Sequence, residues 1–450
     1  MSSSSSSDGG SGGAGDFEAP SSSRSRMRSS SINRIWPEPF VEALAFQVAL
    51  DASLAGGRLA AAPAISNIFQ VCSTWRAISQ SDILWQNLSR RIWSAATLDR
   101  PTWQEEYVFR HRTYSNFRRC NYTYATLHFV PTDNNNNDDD GLSCRRLALS
   151  RRHLAAGFSD GAVHLFHIPT RMHLSTFYPQ HRDRLGRFSS AVSGIVLTDL
   201  RLVFATLDGD IHMAVINGVT PLRRAHLGDV VKDGALVDFS GSDRWWVGLY
   251  AGVPGHAFHI WNSETEELVF IGGTLTNPES VMGWHLLTEL TDVIGRVRVT
   301  RHDTAVACTG LRVVLFDLRN HGMIVSDREL HNGGAVVGAF DANDDVAMVV
   351  DARGTATVRR VGDLTEVCRF RCHGSRGGVA GGLLGGVCLG YGVISVGGGI
   401  RVWDVENGRY LYRLREGDGG GGSGEFNALI CDDRLVVVCS TEGIIHLWDF

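Results

Sequence analysis

The chain has 450 residues, of which 43% are hydrophobic and 20% charged, a balance that suits a globular protein with room for more than one core. Its net charge of -5 gives no general attraction to nucleic acid or anionic membrane, and no apolar run reaches the roughly eighteen residues of a membrane span. Nine scattered cysteines, odd in number and without a CxxC pair, fit a reducing compartment better than a disulfide framework.

Residues 1–31 are rich in Ser and Gly and cannot bury enough apolar surface to offset the entropy of ordering, so a disordered tail is expected. The tail lacks the apolar stretch of a secretory signal, which places the protein inside the cell. Arg24, Arg26 and Arg28 form a weak basic signal for nuclear import, and a solvated tail explains them equally well.

From Ile32 the pattern turns helical. Pro37 suits a first helical turn, and Phe40, Val41, Leu44 and Val48 follow at three-to-four-residue spacing. An Ala/Gly-rich loop over Ala52–Pro63 leads to a second apolar stripe through Ile65, Ile68, Val71, Cys72 and Trp75. A third runs through Leu84, Trp85, Leu88 and Trp93. Three short helices over 32–95 make a small core, which leaves apolar surface for a partner; residues 96–120 read as a helical linker.

Beyond Asn121 short strands replace the helical period. Seven segments align on one pattern: VHLFHI, IHMAVI, FHIWNS, VVLFDL, ATVRRV, IRVWDV and IHLWDF, anchored at Phe166, Ala214, Trp261, Phe316, Arg359, Trp403 and Trp448. The anchors recur every 43 to 55 residues, near the period of a propeller blade of four antiparallel strands. Asp160-Gly161 and Asp208-Gly209, with Arg353-Gly354 and Glu442-Gly443, sit where a hairpin must turn between the second and third strands.

The last copy has no strand after it. YTYATLHFV, at 122–130, precedes the first blade and alternates as an outer strand should, so it is expected to pair antiparallel with 444–450 and close the ring. The expected fold is thus mainly β: a seven-bladed WD-repeat-like propeller over 121–450, preceded by a small α-helical domain.

The helical segment resembles an F-box, on Trp36-Pro37, Phe40-Val41, Leu44, Val48, VCSTWR with Trp75-Arg76, and DILW with Leu84-Trp85. Trp36 stands where leucine is usual, Pro39 where an acidic residue is usual, and the Ala/Gly loop is longer than in most such modules. With WPEPF, DRWWVGLYAGVPGHAFHIW, VMGWH and YLYRLRE, nearly the whole chain is similar to plant F-box/WD-repeat proteins. That resemblance implies a nuclear, non-catalytic substrate receptor of an SCF-type cullin-RING ubiquitin ligase, acting in floral organ identity and organ size. Its partners would be a Skp-type adaptor, through it a cullin, and a target that is itself a nuclear transcriptional regulator. Trp36, Pro37, Phe40, Val41, Leu44, Val48, Trp75, Leu84 and Trp85 would then bind the adaptor. A scaffold for transcriptional repression that works without ubiquitin ligation is the rival reading.

Other patterns carry less. Three basic groups in expected inter-blade loops suit an acidic or phosphorylated target: Arg182, Arg184 and Arg187; Arg223, Arg224 and His226; and Arg371, His373 and Arg376. Solvated loops account for them equally well. His164, His212, His259 and His446 share one blade position, too far apart around a ring for one ligand sphere. Cys368, Cys372 and His373 lack a second cluster, so no metal and no cofactor are expected. GGGGSG at 419–424 follows no βαβ unit, and no P-loop lysine motif, HExxH or GxSxG occurs, so catalysis within the chain is not expected. Lys232 is the only lysine; biased codon usage explains that, and so does a receptor surface with few acceptors for self-modification.

Overall fold

A computed structural model describes residues 36–95, 97–128, 143–179, 186–216, 218, 221–273, 295–309, 312–330, 337–372, 383–416 and 425–450. The tail 1–31, Phe129 and Val130, Arg182, Arg184, His373, Arg376 and the segment 419–424 lie outside them. No helix among the described residues is long and apolar enough to cross a membrane.

Seven four-stranded antiparallel sheets form the propeller, each running a-b-c-d from the inside outward. Blades 1 to 6 occupy 144–177, 192–226, 235–272, 296–329, 337–371 and 384–413. Blade 7 takes three strands from 426–449 and its outermost strand from Thr123–Leu127, so the expected closure is present. The register runs from Thr123 opposite Asp449 to Leu127 opposite Ile445. Tyr124 adds a side-chain bond across it, its hydroxyl 2.7 Å from His446 Nδ1. The b–c turns use glycine where the backbone goes left-handed, at Gly161 (φ 90°) and Gly443 (φ 80°), a conformation that a Cβ disfavours.

The anchors sit where blades meet. Phe166, Trp261, Trp403 and Trp448 are buried between neighbouring sheets, and even Arg359 is buried, its Nη1 donating to Leu364 O at 3.0 Å. Each strand alternates direction, so the a–b and c–d loops emerge on one face of the disc. The b–c loops and the connections between blades emerge on the other.

The helical region differs from the expectation in two respects. Most of the Ala/Gly stretch is helical rather than loop: α1 (Glu38–Gly56) runs into it, because Ala and Leu favour helix, and ends at Gly57 with φ 81°. A single 3-10 turn then leads into α2 (Ala61–Phe69), followed by α3 (Ser73–Ala77) and α4 (Asp82–Trp93). Four helices therefore stand where three were expected. The second difference is α5 (Trp103–Arg119), which is no mere linker. Thr102 caps it, accepting from Glu105 N at 3.2 Å, and its face of Trp103, Tyr107, Arg110, Tyr114 and Phe117 is buried.

That face joins the two parts of the molecule. Trp85 and Trp93 of α4 pack on one side of it, and Tyr391 and Phe450 of the propeller on the other, all in one continuous core. Tyr114 and Phe117 lie 4.8 Å and 5.3 Å from the Tyr391 ring, centroid to centroid. Around this core Arg58 Nη1 donates to Leu389 O (3.0 Å), Ser94 Oγ to Asp345 (2.7 Å) and Arg110 to Asp433 (3.0 Å). Leu389, Asp345 and Asp433 all belong to a–b loops, so the helical region docks on that face of the disc.

Candidate interaction surfaces

The helical residues that the sequence reading singled out separate by burial. Val41, Leu84 and Trp85 are buried in the core of the helical region. Leu44, Val48 and Trp75 are half-buried. Trp36 and Phe40 are 49% and 47% exposed and stack on each other, ring centroids 4.9 Å apart. Pro37 lies between them as the residue that opens α1. Two aromatic rings stacked in water at the start of a helix leave a large apolar area without an internal partner.

A second feature is a groove of about 360 Å³ between α2, α4 and α5. Ile65, Phe69, Trp85, Tyr107 and Val108 form its apolar wall, and Arg76 and His111 its polar rim. Burial lowers the His111 imidazole below its ordinary value, and a backbone bond to Leu59 opposes this. The groove was not legible beforehand because α5 supplies one side of it.

On the opposite face the basic residues divide. Arg371 ends strand d of blade 5 (Glu366–Arg371) and is exposed. Arg187 begins a 3-10 turn on the approach to blade 2. Arg223 and Arg224 are not in a loop: they lie in strand d of blade 2 (Arg223–His226), with Arg223 paired to Glu266 and Arg224 3.0 Å from Asp210. Both charges pair with carboxylates within the propeller.

The innermost strands carry a charged belt that sequence reasoning missed. Arg146 of blade 1 reaches Ser193 O at 2.7 Å and lies 3.3 Å from Asp238 of blade 3. Arg298 of blade 4 contacts Asp238 at 3.2 Å and donates to Asp341 of blade 5 at 2.8 Å. Asp341 in turn accepts Val387 N of blade 6 at 3.0 Å. Burial and the nearby Arg296 lower the Arg146 guanidinium to about 9. Burial opposes the charge on Arg298 too, but Asp238 and Asp341 outweigh it and raise its value. These contacts fix blade against blade at the axis, which makes the disc a rigid spacer.

The recurrent histidines behave as structural groups in two blades: His164 Nδ1 lies 3.0 Å from Thr176 Oγ1, and His446 bonds Tyr124. Cys368 and Cys372 are free thiols raised to about 11 and about 12, chiefly by burial.

Seven four-stranded blades closed by an N-terminal outer strand define a WD40-type β-propeller, here with a helical region docked on one face. Solved structures of that class superpose on it: the RRP9 WD40 repeats (TM-score 0.53, 11% identity, 72% of this chain and 97% of that one) and U3-55K (TM-score 0.52, 11% identity, 73% and 98%). At such identity they show the fold alone. No family model matches the sequence. The relative that carries identity is the transcriptional regulator STERILE APETALA of Arabidopsis thaliana, 53% identical over 453 aligned positions that span 100% of this chain and 99% of that protein. The chain belongs to the STERILE APETALA family.

Proposed function

We propose that this protein is the substrate receptor of an SCF-type cullin-RING ubiquitin ligase. In this reading the helical region binds a Skp-type adaptor, and through it a cullin, while the propeller holds a nuclear regulatory target. The observation that carries it is the exposed, stacked Trp36–Phe40 pair at the start of α1, with half-buried Leu44 on the same stripe. Full burial of each such side chain by a partner is worth about 1.5–3 kcal/mol. The fold supports the arrangement: α5 fixes the helices to the a–b face, which leaves the b–c and inter-blade face, with Arg371, open to a target. The protein itself does no chemistry; the rigid disc sets the distance between target and ligase.

Control of floral organ identity and organ size, in the nucleus, is the biological setting we infer, since the relative is named a transcriptional regulator. That name also favours a second reading, a propeller scaffold that recruits repressors without ligase involvement. Affinity purification of the protein from plant nuclei separates the two. Adaptor and cullin in the eluate support the receptor; corepressors without either overturn it.

A further inference from the structure

Blade 3 contains a side-chain cluster that the proposed function does not use. Asp233 closes α6 (Val230–Asp233), the short helix that connects blade 2 to blade 3. His256 lies in the b–c loop of blade 3, and His259 lies in strand c (Phe258–Asn262). The donor atoms of the three, a carboxylate oxygen and two imidazole nitrogens, all lie within 4.8 Å of one another.

Two local features bring them together. Asp229 caps α6 by accepting from Val231 N and Lys232 N at 3.1 Å and 3.2 Å. Gly234 then turns with φ 88° so close to strand b that a Cβ there would meet Ala251 O at 2.2 Å. Glycine at 234 thus lets the end of α6 lie directly on the b–c loop and carries Asp233 to His256.

His259 is 1% exposed, yet neither of its ring nitrogens has a hydrogen-bond partner. Asp233 Oδ1 and His256 Nδ1 face each other as an ion pair at 3.4 Å without a hydrogen bond. A buried imidazole with neither nitrogen satisfied is costly, so His259 lacks a partner that the fold around it does not supply. A separation of 3.4 Å is instead the edge of a tetrahedron around an ion with bonds of about 2.0–2.1 Å. Tyr250, whose ring stacks on His259 with centroids 4.0 Å apart, contributes another buried hydroxyl without a hydrogen bond. Asp208 adds negative charge beside Tyr250, which favours a cation.

We propose that Asp233, His256 and His259 form a zinc(II) site, with the fourth position taken by water. Two imidazoles and one carboxylate are a borderline nitrogen–oxygen set that suits zinc and excludes calcium or magnesium, which take oxygen ligands. Zinc here ties the blade 2–blade 3 connection, which carries the lone Lys232, to the b–c loop. It therefore fixes part of the face opposite the helical region. Comparing the four recurrent histidines with each other hid this site, because the partners of His259 come from its own blade and the preceding connection.

The test uses the purified full-length protein, stripped with a chelator and titrated with zinc chloride by calorimetry, with cobalt(II) absorption as a second readout. One equivalent should bind, raise the thermal midpoint, and give with cobalt the visible band of a tetrahedral ion. His256→Ala and Asp233→Asn, both near the surface, should each weaken binding at least about tenfold and abolish the midpoint shift without lowering the metal-free midpoint. Absence of stoichiometric binding, or equal binding by both variants, overturns the proposal; the latter would assign the metal to other histidines or the free cysteines. The outcome does not depend on whether the protein binds a Skp-type adaptor.

Discussion

Phe117, on the last turn of α5, stacks on Phe450, the last residue of the sequence, with ring centroids 3.7 Å apart and planes 11° from parallel. The contact ties the helical region to the blade that closes the ring. Phe117 is wholly buried, so Phe117→Ala should cost about 3–5 kcal/mol. Since one core spans both parts, wild-type protein should unfold in urea in one transition by circular dichroism and tryptophan fluorescence, and the variant at a lower midpoint. An unchanged midpoint would mean that the helices hang free of the disc.

Ring closure is open to a covalent test. Thr123 and Asp449 are directly paired across the closing strands, so Thr123→Cys with Asp449→Cys should oxidise to a disulfide. The closed loop is long, and the chain-entropy estimate is a gain of about 4 kcal/mol or more, reduced by the loss of the Arg434–Asp449 pair. Mass spectrometry of the linked peptide and the thermal midpoint of oxidised against reduced protein measure it. A failure to cross-link would place residues 123–127 elsewhere.

The axial belt makes a sharper claim about charge. Asp238 is fully buried and serves both Arg146 and Arg298, so Asp238→Ala leaves two guanidinium groups without it and should cost about 3–5 kcal/mol. Adding Arg298→Met should recover part of that loss, because an apolar side chain needs no counter-charge. Equilibrium unfolding of the single and double variants gives the coupling; strict additivity would show that the belt does not act as a unit.

A pH dependence follows from His164, which burial, and next to it His173, lower to about 4 against an ordinary 6.5. Its folded value lies below its unfolded one, so the unfolded state binds the proton more readily. The stability it contributes is complete above pH 6.5 and is lost as pH falls from there towards 4, at up to about 1.4 kcal/mol per pH unit. His164→Asn should flatten that part of the stability–pH curve. An equal slope in both proteins would assign the acid sensitivity to other groups.

Much of the propeller could be read from the chain because its signals are local. An apolar strand, a glycine turn and an aromatic anchor recur within each blade, and Gly161 and Gly443 take the positive φ that the turn requires. The closing strand was legible for a related reason, since an unpaired terminal strand needs a neighbour. What escaped depends on residues far apart in sequence. Arg146, Asp238, Arg298 and Asp341 come from four blades, and no window of sequence shows that they meet. Likewise α5 displayed a helical period, but its docking partners Tyr391 and Phe450 lie hundreds of residues away. On α1 the loop expected from Ala52 begins later: alanines and Leu54 carry the helix to Gly56, and Gly57 ends it.

The receptor role rests on the outer face of the helical region, and direct titration of a purified Skp-type adaptor into the full-length protein probes it most closely. Wild type should bind with one-to-one stoichiometry. Phe40→Asp with Leu44→Asp, checked by circular dichroism to be folded, should bind at least about a hundredfold more weakly, equivalent to about 2.8 kcal/mol. No heat of binding from the wild type, or the same affinity from the double variant, would contradict the account.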